Sequence, residues 1–274
     1  MTSLPVRVSS DWLALREPAD AAARASDLVE HVQRCLAGDR AAVIHDLGCG
    51  TGSMGRWLAP QLTGAQHWIM YDRDADLLNH AAADMPGMAA DGAQVTVETR
   101  QRDVTRLDPD DLAEASLITA SALLDMFTAD ELERFVTACA DARCPVLVTI
   151  SVIGRVDLVP GDPLDLDIVE AFNAHQRRTT GGRRLLGPDA VDAAADAFTR
   201  LGADVLVRPS PWRLGAEQAA LAAQWLVGWV GAACEQRPEL GTPAAAYMQR
   251  RLDEAASGRL DVTVHHHDLL ARPR

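Results

Sequence analysis

The stretch Asp46-Leu47-Gly48-Cys49-Gly50-Thr51-Gly52 constrains the fold more than any other part of the chain. It follows a short apolar run, AAVIH, and leads straight into a helical segment. A strand that ends in so many glycines ends in a bare backbone bend. Side chains at Gly48, Gly50 and Gly52 would keep a small molecule off the bend and off the first N–H groups of the helix. Gly50-x-Gly52-x-x-Gly55 also has the spacing of the dinucleotide fingerprint, so the glycines alone do not choose between cofactors.

Alternating patterns surround this bend. Residues 66–72, 94–103, 116–124 and 144–152 read as strands. Helical segments at 75–85 and 128–142, and a short turn near 109–114, separate them, with Thr128 and Glu131 spaced as a capping box. Such alternation predicts a parallel sheet covered on both faces, an α/β doubly wound fold. A helix over 18–37 precedes the first strand, and Gly38 stops it. Downstream, 153–187 reads as loop, 188–201 as helix and 204–211 as strand. Helices at about 214–236 and 243–257 and a strand at 260–267 complete the chain.

Composition removes several functions. The formal charge of −13 opposes binding to a nucleic-acid backbone. No lysine is present, which excludes a Schiff-base lysine, a pyridoxal-phosphate anchor and a phosphate-loop lysine. Five scattered cysteines without a C-x-x-C pair suit reduced thiols, and no metal site is expected. The first residues lack the basic-then-apolar signature of a signal peptide, and the longest apolar run, 219–234, is too short to span a membrane. A soluble, cytoplasmic protein is expected.

Carboxylates recur at the carboxyl ends of the strands, where ligands bind in open α/β sheets. Asp72 ends the second strand, and Asp103-Val104 ends the third. Singly, each suits a helix cap or a solvated loop tip equally well; in series they point to a ligand. The string D-L-G-C-G-T-G resembles the first motif of class I S-adenosyl-L-methionine (SAM)-dependent methyltransferases almost letter for letter, and the resemblance extends over roughly residues 40–150. It implies a Rossmann-like, mostly parallel seven-stranded sheet whose last strand is inserted antiparallel, with SAM as cofactor. It further implies that Asp46, Gly48, Cys49, Gly50 and Gly52 cradle the donor and that Asp72, with Arg73 beside it, holds the ribose. Asp103 and Val104 would then meet the adenine, and Ser121 the methionine end. Arg16 and Arg24, in an N-terminal cover over 1–40, are candidates to pair with the methionine carboxylate, or are surface arginines beside acidic neighbours.

With 41–152 as the SAM-binding core, 153–187 and 213–259 are expected as insertions of the single domain that roof an acceptor pocket. Asn173, His175, Gln176, Arg177 and Arg178, with Arg183 and Arg184 beyond Gly181-Gly182, are the candidate acceptor-binding lid for a carboxylate or phosphate group; a solvated loop offset by Asp165, Asp167 and Glu170 is the plainer reading. His175 and Asp125 are the candidate general bases. Trp225 and Trp229, four residues apart, fit core packing better than a pocket wall, and His265-His266-His267 cannot converge on one ion from a regular strand. The expected partner is a small-molecule acceptor methylated on oxygen or nitrogen, with neither nucleic acid nor membrane. Two rivals remain at this point: a SAM-binding protein without transferase activity, and an NAD(P)-dependent oxidoreductase, for which only Tyr71 and Tyr247 offer a phenolic proton donor.

Overall fold

A computed structural model describes residues 8–36, 38 and 40–274. The expected helix end at Ala37 and residues 1–7 of the expected cover lie outside the described residues.

Four strands and their crossovers make the first half: β1 (Ala42–Leu47), β2 (Gln66–Asp72), β3 (Val95–Gln101) and β4 (Leu117–Ser121). All pair in parallel, as does β5 (Val146–Val159) with β4. Helices α3 (Ser53–Leu58), α4 (Ala75–Ala83) and α5 (Ala129–Asp141) connect them. Alternation sorts the strand residues onto two faces. Leu117, Leu147 and Leu270 join one core with Trp68 and Leu28, while Ile118, Val146, Val148 and Leu269 join the other with Phe135 and Phe198. The α5 capping box is present in both directions, Glu131 N–H to the Thr128 hydroxyl at 3.2 Å and Thr128 N–H to the Glu131 carboxylate at 2.9 Å.

The sheet order is β3-β2-β1-β4-β5-β10-β8, where β8 is Asp204–Pro209 and β10 is Asp261–Arg272. β10 runs antiparallel to both neighbours, and β9 (Trp212–Leu214) adds an eighth strand on β10, one more than the seven expected. Strand order reverses between β1 and β4, which opens a crevice at their carboxyl ends.

Three boundaries differ from the expectations. The 18–37 helix is two helices, α1 (Ser10–Ala23) and α2 (Asp27–Cys35), broken where Arg24 turns extended. Pro18 sits inside α1 rather than opening it, since Ser9 caps that helix by accepting from Trp12 N–H at 3.2 Å. The 153–187 segment is ordered: β5 continues to Val159, α6 (Asp165–Gln176) follows, and β6 (Thr179–Thr180) pairs with β7 (Arg183–Arg184) as a hairpin. Beyond α7 (Ala190–Arg200), helices α8 (Ala219–Gln236) and α9 (Gly241–Ala256) pack with α6 and β9 around a third core. Trp225 and Trp229 stack in it with centroids 4.8 Å apart.

Candidate active site

A cavity of about 590 Å³ lies at the carboxyl ends of β1 to β4, within the roughly 300–1,000 Å³ of small-molecule sites. The glycine bend forms its floor. Gly50 has φ +57 and Gly52 φ +86, conformations a side chain resists. The two glycines do different work. Gly50 lines the cavity, and a Cβ there would meet Leu13 of α1 at 3.2 Å. Gly52 lies outside the lining; its Cβ would strike Ala81 of α4 at 3.1 Å, so its bareness lets α4 pack against the bend.

Asp72 holds the bend from the next strand. One carboxylate oxygen accepts from Gly50 N–H at 3.0 Å and the other from Asp74 N–H at 2.9 Å. Each oxygen keeps a second lone pair, so a diol can still be bound. Asp103 caps the turn after β3 by accepting from Thr105 N–H at 3.0 Å and from its hydroxyl at 2.8 Å. Asp72, Arg73, Asp103 and Val104 all line the cavity.

Asp46 is 1% exposed and accepts from the Thr119 hydroxyl at 2.7 Å, while its other oxygen has no partner among the described residues. Burial pushes this carboxyl up to about 6, against the pull of Thr119 and Arg24. Beside it Cys49 lines the cavity and anchors the bend through its N–H to the Tyr71 carbonyl at 2.8 Å, and burial pushes its thiol well up. Gly48 and Ser121 complete the expected set within the lining.

The two candidate arginines part company. Arg16 lines the cavity, grips Asp20 with two hydrogen bonds of 3.0 and 3.1 Å and lies over the Trp212 ring at 5.0 Å. Trp212 in turn donates its indole N–H to Asp20 at 2.9 Å. Arg24 is 4% exposed, outside the lining, and spends its guanidinium on the Ser53, Ser121 and Thr149 oxygens. Of the two, only Arg16 is placed at the cavity.

The expected acceptor residues lie elsewhere. None of Asn173, His175, Gln176, Arg177 or Arg178 lines the cavity. Asn173 donates to the Gly154 carbonyl at 2.7 Å, and Arg177 grips Asp189 with two bonds of 2.6 Å. His175 has one ring nitrogen 3.2 Å from Glu235 and the other 3.2 Å from Arg178, and burial, then Arg178, lowers its pKa. Gln176 packs against Gly187. The acids expected to offset this loop face other partners: Asp165 meets Arg251, and Glu170 meets Arg237. Of the two segments expected to roof the cavity, only Arg183 reaches it, clamped to Glu131 at 2.9 and 2.6 Å and to the Met126 carbonyl at 3.0 Å. The roof is instead α1, through Trp12, Leu13 and Arg16. Asp125 is not part of the lining, although Leu123, Met126 and Phe127 around it in the chain are; burial pushes its carboxyl up to about 6, and Arg16 and Arg178 pull it down.

The sequence reading missed Ser53, Leu123, Phe127, Arg102, Arg106 and Arg134, all of which line the cavity. Arg102 and Arg106 flank Asp103, so proximity to a strand end was a usable signal. Arg134, on the second turn of α5, carried none.

Residues 44–145 match the family described as a methyltransferase domain. No curated protein matches the sequence. Among solved structures, the cyclopropane synthase MmaA2 from Mycobacterium tuberculosis is 14% identical over 97% of this chain and 95% of that one, with a TM-score of 0.53. A SAM-dependent methyltransferase from Geobacter sulfurreducens, solved with S-adenosyl-L-homocysteine, is 14% identical over the whole of both chains at a TM-score of 0.45. Magnesium protoporphyrin IX methyltransferase from Synechocystis PCC 6803 is 14% identical over 76% of this chain and 84% of that one, at 0.43. At 14% identity the likeness to the synthase is one of fold. The segment that matches the methyltransferase-domain family runs from β1 to the threshold of β5 and holds the glycine bend, Asp72 and Asp103.

Proposed function

We propose that the cavity binds SAM and that the protein transfers its methyl group to an oxygen or nitrogen of a small-molecule acceptor. The observation that carries this reading is the convergence of Asp72, Asp103 and Asp46 with a glycine bend on one cavity at the strand ends. Asp72 would take the ribose hydroxyls, with Arg73 alongside; Asp103 and the Val104 backbone would take the adenine. Asp46, Gly48, Cys49, Gly50 and Ser121 would surround the amino-acid end, and Arg16 would stand above it.

Methyl transfer from a sulfonium is an in-line displacement: the acceptor lone pair attacks the methyl carbon as the carbon–sulfur bond breaks. Holding the two atoms roughly 3–3.5 Å apart, away from water, supplies most of the catalysis. Trp12, Leu13, Leu123, Met126 and Phe127 provide the apolar walls for that, and Arg134 and Arg183 a basic edge suited to a carboxylate or phosphate on the acceptor. Where the acceptor must lose a proton, Asp125 is the candidate base, between the lining residues Leu123 and Met126 in the chain and within the field of the lining Arg16; His175 is committed to Glu235 and Arg178.

The strongly negative whole disfavours polyanionic acceptors such as nucleic acid. Among the described residues no helix is long and apolar enough to cross a membrane, and all five thiols are unpaired, which supports a cytoplasmic setting. Titration calorimetry with SAM, S-adenosyl-L-homocysteine and NADH tests the donor site: the two sulfur nucleosides are expected to bind and NADH not. NADH binding alone would reverse the reading. A metabolite screen that follows S-adenosyl-L-homocysteine formation then separates a transferase from a protein that only binds SAM.

A further inference from the structure

Arg24 is buried yet joins no carboxylate through a hydrogen bond among the described residues. Its guanidinium donates to the Ser53 carbonyl through Nη1 at 3.4 Å and to three hydroxyls: Nη2 to Ser53 Oγ at 3.1 Å and to Ser121 Oγ at 3.2 Å, and Nε to Thr149 Oγ1 at 3.4 Å. Thr149, 1% exposed and outside the cavity lining, lies 3.0 Å from Ser121 Oγ. Ser121 itself lines the cavity.

A guanidinium only donates, whereas a hydroxyl has one proton and two lone pairs. Arg24 therefore takes one lone pair of each hydroxyl and leaves each with one proton and one lone pair. When Thr149 donates to Ser121, both lone pairs of Ser121 are taken, one by Arg24 and one by Thr149. Its proton is then left for the cavity. The opposite sense would spend the Thr149 proton on the Met54 thioether 4.0 Å away, a weak acceptor. The better bond selects the first arrangement. Asp46, on the neighbouring strand β1, lines the same cavity and keeps one oxygen without a partner among the described residues, so this end of the cavity combines a donor with an acceptor. That polarity matches a zwitterion.

We infer that Arg24 and Thr149 together are positioning residues that make the Ser121 hydroxyl an obligate hydrogen-bond donor to the carboxylate at the amino-acid end of the methyl donor. This deepens the SAM reading of the cavity and rests on it. Three probes isolate the contact: S-adenosyl-L-homocysteine, its decarboxylated analogue, and 5′-methylthioadenosine, which lacks the amino-acid end. Calorimetry on Ser121→Ala is expected to show about tenfold weaker S-adenosyl-L-homocysteine binding, as for one hydrogen bond to a charged group, with the other two ligands unchanged within twofold.

Thr149→Val keeps the branched shape and leaves every lining side chain in place. It should weaken S-adenosyl-L-homocysteine severalfold, spare the two truncated ligands, and add nothing to Ser121→Ala. Equal weakening of all three ligands by Thr149→Val, or no weakening by it, overturns the relay while leaving SAM binding intact. A wild-type protein that binds neither S-adenosyl-L-homocysteine nor 5′-methylthioadenosine overturns the SAM reading, and this inference with it.

Discussion

Two charged side chains are equally hidden in opposite halves of the molecule. Asp46 on β1 and Arg251 on α9 are each 1% exposed. Arg251 uses both terminal nitrogens on four oxygens: Asp165 twice at 2.7 Å, Glu254 at 2.8 Å and the Pro160 carbonyl at 2.7 Å. Its partner Asp165 also accepts from the Tyr247 hydroxyl at 2.7 Å, and the Tyr247 ring lies 5.3 Å from the guanidinium. Asp46 has one bond and one idle oxygen. Burial of a charge is tolerated when partners replace water. Arg251 has found partners within the chain for both terminal nitrogens, and only its Nε has none among the described residues, which marks a structural tie between α9 and α6. Half of the Asp46 carboxylate has none among the described residues, and Asp46 lines the cavity, so on the proposed function that oxygen is left for a ligand. How fully a buried charge is answered separates scaffold from site here better than burial does.

The largest effect should come from the answered charge. Arg251→Met strands Asp165 and Glu254, and a loss of roughly 3–5 kcal/mol in unfolding free energy is expected by denaturant titration. A loss under about 1 kcal/mol would show that the cluster is not a tie.

Next stands Asp72→Ala, which removes the acceptor for Gly50 N–H and the expected ribose contact. S-adenosyl-L-homocysteine affinity should fall about 10- to 100-fold, with stability lowered by about 1 kcal/mol. Loss of stability without loss of affinity would make Asp72 a turn anchor only.

Asp46→Asn sharpens the contrast, because it should stabilise the protein and harm the site. Burial raises the folded-state pKa from the usual 3.8 to about 6, so the fold prefers the protonated form. That preference favours folding below the unfolded value and is lost as pH rises through about 6, where the ionised carboxylate becomes a burden. Asn removes the burden. Stability should rise by roughly 1–3 kcal/mol at pH 8, and the gain should vanish near pH 4. Donor affinity should fall at pH 8. A variant less stable than the parent at pH 8 would mean that the idle oxygen has a partner after all.

The smallest effect is expected from His175→Ala. His175 lies outside the cavity lining and contacts Glu235 of α8 and Arg178, so kcat should stay within twofold and stability within about 0.5 kcal/mol. A hundredfold drop in kcat with KM unchanged would return His175 to the reaction.

Much of the parallel half was legible before any coordinates. The bend at 46–52, the carboxylates at 72 and 103 and the α5 capping box follow from interactions between residues a few positions apart, and local chemistry is written in local sequence. The helix at 165–176 was not legible for the same reason inverted: only Ile168 and Ala171 are buried on it, while Leu166 is 75% exposed, so no apolar stripe announces it. Packing against α8 holds it in place.

The two arginines of the N-terminal cover state the division most clearly. Arg16 and Arg24 are the same residue type, eight positions apart, and nothing local distinguishes a cavity wall from a buried brace. Arg16 stays on α1 and meets Asp20 one turn away. Arg24 falls where α1 ends and the backbone turns extended, and its partners Ser121 and Thr149 lie 97 and 125 residues further along the chain. The sequence by itself determined the doubly wound sheet, the glycine bend and the acids that face the cavity. Only the tertiary structure decided which charges meet each other and which are left for a ligand, because that depends on contacts between segments that share no sequence neighbourhood.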